Sequence, residues 1–319
     1  MRERILTCLM VLAACSGAPK KGESLDLTLP ASDLMGAADL AASADLASPP
    51  SDPLKTPFAT AYVEVNSNSL ANAGCFQRGA QPLFGIAILF AANINATAAG
   101  KATLFFNPQV QAELDSGSVA ALRSQGIKVL LDVLGNHQNA GWGCFTSYAE
   151  ADAFAAQCAD AVARYGLDGI DIDDEYSKCT PNDNSLVLAV TALRNRLGPG
   201  RYITKALFND AAYFTPTYNG KRAGDLLDYG WEMSYGGSNY AGRLSPYVSA
   251  GMARSKLSIG IDVNGADQAA AARFVQSGGY GGVPGKFYTS TGKHVGRSIT
   301  SRSPNRNRAG ASSAASLSV

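Results

Sequence analysis

Short apolar runs alternate with amphipathic stretches from residue 60 onwards. The runs are nearly continuous in apolar residues, which is typical of strands buried on both faces, and the stretches between them carry apolar residues at helical spacing. This alternation predicts a parallel sheet covered by helices. The predicted strands are Thr60–Asn66, Phe84–Asn95, Lys128–Gly135, Gly166–Glu175, Tyr202–Asn209, Tyr229–Tyr235 and Leu257–Asn264, and the predicted helices are Pro108–Gln125, Tyr148–Tyr165, Ser185–Leu197 and Ala266–Ser277.

Seven predicted strands and a candidate eighth favour a (β/α)8 TIM barrel in residues 58–290 over an open sheet. The eighth strand is poorly formed, because Ser277–Val283 leads toward an apolar strand and Pro284 then interrupts it. A proline in a central strand removes a hydrogen-bond donor. Without an eighth strand, the first and seventh strands would keep unpaired edges, and we would expect a less stable protein.

Beyond Pro284 the chain becomes basic and Ser-rich, and no acidic residue follows Asp267. We interpret this abrupt change in mid-strand as a shift of reading frame in the source gene, which leaves residues 291–319 as a disordered tail. The alternative interpretation is an unusual eighth strand that pairs through Lys286–Ser290 and is followed by a disordered tail.

The first 57 residues follow a different pattern. Residues 1–14 combine a positively charged start with a short apolar run, which is typical of a signal peptide and too short to span a bilayer. The segment Leu12-Ala13-Ala14-Cys15 resembles a bacterial lipobox, which implies cleavage before Cys15 and a lipid on its sulfur; the alternative is an ordinary signal peptide. Residues 15–57 lack aromatic residues and predict a flexible tether. We therefore expect a protein of the bacterial cell envelope, lipid-anchored outside the cytoplasm, or a secreted one.

The composition and net charge limit the classes of binding partner that we expect. Apolar residues make up 46% of the chain and charged residues 17%, as in a globular protein. The net charge of +1 provides no field that would attract nucleic acid or an anionic membrane, so the lipid anchor is the only membrane contact that we expect. The chain has no CxxC motif or Cys/His cluster, so we predict no metal site. We also expect no cofactor and a monomer.

Polar side chains gather where the predicted strands end. In a barrel, the carboxyl ends of the strands share one face, and that face carries the active site. The alternative for each residue is the ordinary polarity of a loop. The candidates for substrate binding from the first three strands are Glu64, Asn66, Asn93, Asn136 and His137.

The stretch Tyr165–Tyr176 carries the candidate chemistry. Side chains alternate along a strand, so Asp171, Asp173 and Glu175 point to one side, which is the interior of a barrel. Three carboxyls at close range cannot all ionise, and at least one should hold a proton near neutral pH, as a general acid must. The alternative of a calcium loop fits poorly, because Ile170 and Ile172 indicate a buried strand.

The spacing Asp168-x-x-Asp171-x-Asp173-x-Glu175 resembles the DxxDxDxE signature of glycoside hydrolase family 18. A closer resemblance is to the bacterial endo-β-N-acetylglucosaminidases of the Endo H type, and it rests on Ala61–Asn66, Phe90–Asn95, Gly126–Leu131, Leu134–Gln138 and Tyr165–Tyr176. The resemblance covers about Thr60 to Gly282. It implies a substrate-assisted mechanism in which the 2-acetamido oxygen of the substrate attacks the anomeric carbon. Glu175 would then protonate the leaving oxygen and activate water, Asp173 would orient the acetamido nitrogen, and Asp171 would share its proton from below.

Two further residues follow from the resemblance. Met233-Ser234-Tyr235 resembles the Met-x-Tyr-Asp element of the family, which implies that the Tyr235 hydroxyl binds the acetamido carbonyl. Trp231 is a candidate sugar-stacking floor, with packing inside the barrel as the alternative. Glu232 and Met233 stand where the Endo H type has Asn-Pro, which leaves the sugar contacts there undefined.

The resemblance implies cleavage of the β-1,4 bond in the GlcNAc–GlcNAc core of N-glycans, so the expected partners are N-glycans of glycoproteins or GlcNAc-containing oligosaccharides. One alternative is a chitinase of the same family, but two tryptophans are few for a long chitin cleft. Another is a non-catalytic glycan-binding lipoprotein, which the presence of Glu175 disfavours and the damaged eighth strand favours.

The cysteines allow a further prediction. Cys144 follows the third predicted strand and Cys179 the fourth, so both lie in neighbouring loops of the same face, and we predict a disulfide between them. Cys158 lies in a predicted helix and is expected to be a buried free thiol. The sequence leaves other pairings open.

Overall fold

A computed structural model describes Leu54 and residues 58–233, 235, 239–262 and 268–286. The predicted signal peptide, Cys15, almost all of the predicted tether and the tail 291–319 lie outside the described residues. Among the helices described, none is both long and apolar enough to cross a membrane.

Eight parallel strands form the centre of the fold, and each pairs with both of its neighbours. Because the first strand pairs with both the second and the eighth, the sheet closes into a barrel. The predicted strands are confirmed, with ends displaced by up to five residues, and the longest apolar runs form the longest strands. The strands are β1 Phe58–Glu64, β2 Phe84–Ala96, β3 Lys128–Gly135, β4 Gly169–Asp173, β5 Tyr202–Leu207, β6 Tyr229–Glu232, β7 Leu257–Ile259 and β8 Gly282–Lys286.

The eighth strand forms despite its proline. All five residues of β8 pair with β1, and Ser258 of β7 pairs with Gly282. The two-residue segment Ile261–Asp262 continues this register beyond a break at Gly260, which faces Pro284. The missing N–H of the proline therefore falls where the ladder to β7 is already interrupted. The expectation that β1 and β7 keep unpaired edges is wrong over these residues, and Phe287–Ser290 lies outside the described part of the chain.

The helical layer is incomplete. The connection from β1 to β2 contains the 3-10 helix Leu70–Cys75, and the connection from β5 to β6 contains the 3-10 helix Ala211–Phe214 and a single α-helical turn. The predicted helix Pro108–Gln125 is split in two, because Gly117 has a left-handed φ of 84°. The helices are α1 Pro108–Asp115, α2 Ser118–Ser124, α3 Tyr148–Tyr165, α4 Ser185–Leu197, α5 Ala223–Leu226, α6 Tyr240–Ser249 and α7 Gln268–Gly278.

The barrel has an apolar floor that is separate from the core under the helices. Side chains from neighbouring strands that point inward at the amino ends pack against one another, and burial of each large apolar side chain contributes about 1.5–3 kcal/mol. The interior therefore becomes polar only above this floor. The floor consists of Ile86, Ile88, Leu130, Tyr202 and Trp231, with Leu54, Phe58, Tyr62 and Tyr229 packed against it.

A disulfide joins the loops that follow β3 and β4. Cys144 and Cys179 are bonded, with 5.7 Å between their Cα atoms, as predicted. Cys158 is a free thiol, wholly buried in α3, also as predicted. Burial raises the pKa of this thiol well above its usual value, so it is a packing residue.

Removal of the disulfide should destabilise the protein. The bond closes a loop with a sequence separation of 35, so we expect the double substitution Cys144→Ser and Cys179→Ser to lower the free energy of unfolding by about 2–4 kcal/mol. Urea unfolding of the two proteins measures this difference in free energy. A double variant that unfolds at the same urea concentration as the wild type would contradict this assignment.

Candidate active site

The acids of β4 form a column that rises from the buried interior to the mouth of the barrel. Asp171 is wholly buried, Asp173 is 4% exposed, and Glu175 is half-buried two residues beyond the end of the strand. Sequence alternation therefore predicted correctly that these carboxyls cluster. Their depth assigns the most accessible position to Glu175.

The first acid of the signature has a different role. Asp168 accepts hydrogen bonds from the backbone N–H of Val129 at 2.9 Å and from Nε of Arg123 at 3.0 Å. These bonds connect the start of β4 to β3 and α2. Asp168 is thus a structural residue at the amino end of the strand.

The carboxyl of Asp171 accepts hydrogen bonds from three strands. The Tyr62 hydroxyl of β1 donates to its Oδ2 at 2.6 Å, and the Trp231 indole of β6 donates to its Oδ1 at 2.9 Å. The Thr204 hydroxyl of β5 also donates to Oδ1. Burial raises the pKa of Asp171 above its usual value, and the hydrogen bonds that its oxygens accept oppose this rise, so they stabilise its charge against the loss of solvent.

The sequence analysis missed Asp132. This wholly buried acid of β3 lies beside Asp171 in the register of the two strands. Burial raises its pKa well above the usual value, and the neighbouring carboxyls Asp173 and Asp171 raise it further. A single acid inside the apolar run Leu130–Leu134 was the signal that could have identified it.

Asp173 holds a proton at neutral pH. Burial and the nearby charges of Glu175 and Asp171 raise its pKa to about 8, and Lys205 opposes this rise. Its Oδ1 has no hydrogen-bond partner among the described residues. The side chain can therefore offer either a proton or a lone pair to a group that enters the barrel.

Lys205 is a second residue that the sequence analysis missed. Its side chain is 2% exposed, and its Nζ lies 2.7 Å from Oδ2 of Asp210 and 2.9 Å from the carbonyl of Ala206. Its positive charge acts on the nearby carboxyl of Asp173. The ion pair with Asp210 keeps this lysine charged despite its burial, because the partner compensates for lost solvation.

Tyr235 reaches the carboxyl cluster from the end of β6. Its backbone has a left-handed φ of 54°, and burial followed by the charges of Asp173, Asp171 and Glu175 raises the pKa of its hydroxyl. The hydroxyl is therefore a neutral donor beside the acids, and its contact with the acetamido carbonyl remains a prediction. Ser234 of the same motif lies outside the described residues.

A pocket of about 310 Å³ opens beside the column. Asp173 and Glu175 line one wall, and Lys205 and Asp210 line another. Two large apolar side chains on its rim are unusually exposed: Tyr176 is 52% exposed and Phe208 is 55% exposed. Polar walls below and aromatic faces at the rim match the two surfaces of a sugar ring, which offers hydroxyls at its edge and C–H groups on its faces.

The polar residues predicted to bind substrate lie on the β1–β3 side of the mouth, outside the lining of this pocket. Glu64 accepts hydrogen bonds from the backbone N–H of Asn66 at 2.9 Å and the Ser67 hydroxyl at 2.6 Å, and so caps the loop after β1. Asn136 donates to Asn95 at 2.7 Å. Their contacts with substrate remain predictions, as do those of Asn66, Asn93 and His137.

His137 joins the two sides of the mouth. Its backbone N–H donates to the carbonyl of Tyr176 at 2.7 Å, and its ring lies 4.9 Å from the Tyr176 ring, centroid to centroid. Both residues have left-handed backbones, with φ of 53° and 60°. This contact fixes the position of the exposed Tyr176 ring.

Trp231 is not a sugar-stacking floor. It is 1% exposed, and its indole donates to Asp171 inside the barrel. Its inward position on β6 buries both ring faces against Phe58 and Tyr229. The packing alternative is the correct one, because the ring is enclosed within the barrel and leaves no face open to a sugar.

The raised pKa of Asp173 makes stability depend on pH. The unfolded chain releases this proton near pH 4, whereas the folded state keeps it up to about pH 8. The contribution of Asp173 to stability is therefore fully present below about pH 4 and is lost as the pH rises through about 8. We expect Asp173→Asn to raise the melting temperature increasingly from pH 4 to pH 9.

The control for this measurement is Asp152→Asn. Arg196 holds the pKa of Asp152 below its usual value, so its substitution should give a small change of opposite sign. A melting-temperature difference between Asp173→Asn and wild type that does not vary with pH would contradict the protonated state of Asp173.

Comparison with known sequences agrees with the geometry of the acids. The sequence profile of the glycosyl hydrolases family 18 matches residues 59–295. The chain is 40% identical over 250 residues to an endo-beta-N-acetylglucosaminidase of Flavobacterium sp. (strain SK1022), covering 73% of this chain and 76% of that protein. It is 32% identical over 200 residues to endo-beta-N-acetylglucosaminidase F1 of Elizabethkingia meningoseptica, covering 57% of this chain and 58% of that protein.

Comparison with solved structures gives the same result. The structure of EndoBT-3987 from Bacteroides thetaiotaomicron with a Man5GlcNAc product is similar, with a TM-score of 0.62 and 27% identity. The match covers 72% of this chain and 55% of the chain of that protein, so the likeness concerns about half of the solved molecule. The four-acid motif, the barrel and these similarities together show that the chain belongs to glycoside hydrolase family 18 and is a glycoside hydrolase.

Proposed function

We propose that the protein is an endo-β-N-acetylglucosaminidase that hydrolyses the β-1,4 bond in the GlcNAc–GlcNAc core of N-glycans by a substrate-assisted, retaining mechanism. The observation that carries the mechanism is the buried, protonated Asp173 between Asp171 and Glu175, with Oδ1 unbonded within the described residues. Such a group is suited to a neutral amide, because it can accept the acetamido N–H and change its share of a proton as charge develops.

The reaction would begin with Glu175. Its half-buried position at the mouth lets it reach the glycosidic oxygen. It protonates this oxygen while the acetamido oxygen of the substrate bonds to the anomeric carbon, which forms an oxazolinium ion and releases the leaving sugar. Glu175 then takes a proton from water, which opens the ring with net retention.

Asp173 and Tyr235 would hold the acetamido group. Asp173 accepts the N–H, and the charge of the Asp171 carboxylate below it favours the positive nitrogen of the intermediate. The neutral Tyr235 hydroxyl donates to the acetamido oxygen and aims it at the anomeric carbon. Positioning of this kind makes the attack effectively unimolecular.

The N-glycan core as substrate is supported by the relatives. Two similar proteins carry the name endo-beta-N-acetylglucosaminidase, and the similar Bacteroides thetaiotaomicron protein has been solved in complex with a Man9GlcNAc2Asn substrate. The test is to incubate the purified protein with a high-mannose glycoprotein and with chitin oligomers and to weigh the products. Loss of the glycan with one GlcNAc left on the protein supports the proposal; cleavage of chitin oligomers alone would replace it with a chitinase.

Substitution of the acid should abolish turnover and preserve binding. Glu175→Gln keeps the shape of the side chain but removes the proton source, so we expect kcat to fall by about 10³-fold or more with little change in glycan affinity. Glu150→Gln, on the exterior at the start of α3, is the matched control and should keep wild-type kinetics. Turnover of Glu175→Gln within tenfold of wild type would identify another group as the acid.

The exposed ring at the pocket rim should contribute to substrate binding. Because Phe208 is 55% exposed beside Glu175, we expect Phe208→Ala to weaken sugar stacking and raise KM by about 5- to 10-fold, in line with the energies of aromatic contacts. Phe105→Ala is the control, since that ring is 43% exposed on the strand Ala102–Phe105 and outside the pocket lining. Equal KM values for the two variants would exclude stacking at Phe208.

A further inference from the structure

Asp132 has no donor of its own. Neither of its side-chain oxygens accepts a hydrogen bond from an N–H or O–H group of the described residues. Its neighbour across the register of β3 and β4 is Asp171, whose side chain is also wholly buried. Two carboxyls buried side by side cannot both be ionised at low cost, so this pair holds at least one proton.

The donors around Asp171 decide which carboxyl carries that proton. Asp171 already accepts from Tyr62, Thr204 and Trp231, and a carboxyl that accepts three hydrogen bonds is stabilised as an anion. Asp132 lies in the same wholly buried layer without such donors. The proton of the pair is therefore favoured on Asp132, from where it can be donated to Asp171.

We propose that Asp132 is a positioning residue for the hydrolysis: it stays neutral and, by donating to Asp171, makes Asp171 a weaker base than Asp173. The proton of the column then resides on Asp173, next to the substrate, and not on Asp171, one layer below. Without the donor from Asp132, Asp171 would compete for that proton, and Asp173 would enter the reaction as a carboxylate instead of a neutral acid.

The surroundings leave no other group to perform this role. On the β2 side the neighbouring residues are Phe90 and Ala91, which do not titrate. Lys205 of β5 lowers the pKa of Asp173 and forms its ion pair with Asp210. The titratable groups that act on Asp132 are Asp171 and Asp173 of β4, Glu175 just beyond that strand, and Tyr62 of β1. Tyr235, after β6, acts on Tyr62.

Substitution by alanine and by asparagine separates this role from packing. Asp132→Ala removes the donor, and we expect kcat to fall by about 10- to 100-fold with KM nearly unchanged, as for a lost hydrogen bond to a charged group. Asp132→Asn restores a donor of the same shape and should recover kcat to within about threefold of wild type. Thr60→Ala is the packing control, because Thr60 is also a buried inward residue with an unbonded hydroxyl in the described structure.

The kinetic arm rests on the proposed function, so a second readout is independent of any substrate. The infrared spectrum of the free protein at neutral pH should contain the carbonyl bands of two buried protonated carboxyls. Asp132→Asn should remove one band and Asp173→Asn the other. An Asp132→Asn variant that keeps both bands, or that is as inactive as Asp132→Ala while still folded, would overturn the proposal; absence of N-glycan cleavage by the wild type would overturn only the proposed function.

Discussion

The carboxylate of Asp171 is the centre on which the site depends. A buried charge is stable only when hydrogen bonds replace its lost solvation, and here the donors come from β1, β5 and β6. The charge therefore ties β1 and β6 to β4 across the interior of the barrel, together with the neighbouring strand β5. Burial and the nearby charges of Glu175 and Asp171 together favour the proton on Asp173.

Burial and charge change together along the barrel axis. An apolar floor that includes Ile86, Ile88 and Leu130 excludes water below the carboxyls. The layer above it contains Asp171 and its donors, and the mouth carries Glu175 with the exposed rings of Tyr176 and Phe208. This gradient strengthens electrostatic interactions at depth while it leaves the acid accessible to a sugar.

Closure of the barrel is what gives the column an interior. The pairing of β8 with both β1 and β7 completes the ring, and Pro284 is tolerated because its missing donor faces the break at Gly260. The residue pattern of β8 by itself makes the proline a defect, because the pattern of one strand does not reveal a break in the neighbouring strand.

The sequence alone determined the alternation of strands and helices, the column of Asp171, Asp173 and Glu175, and the disulfide, because these follow from local periodicity and from loops that adjoin in any barrel. It could not determine how Asp132 and Trp231 act, since their roles arise from register between strands that are far apart in the chain. Trp231 was ambiguous until the tertiary structure fixed its depth. Asp132 became a member of the site only when β3 was set beside β4, because a carboxyl acquires its protonation state from neighbours that folding brings into contact.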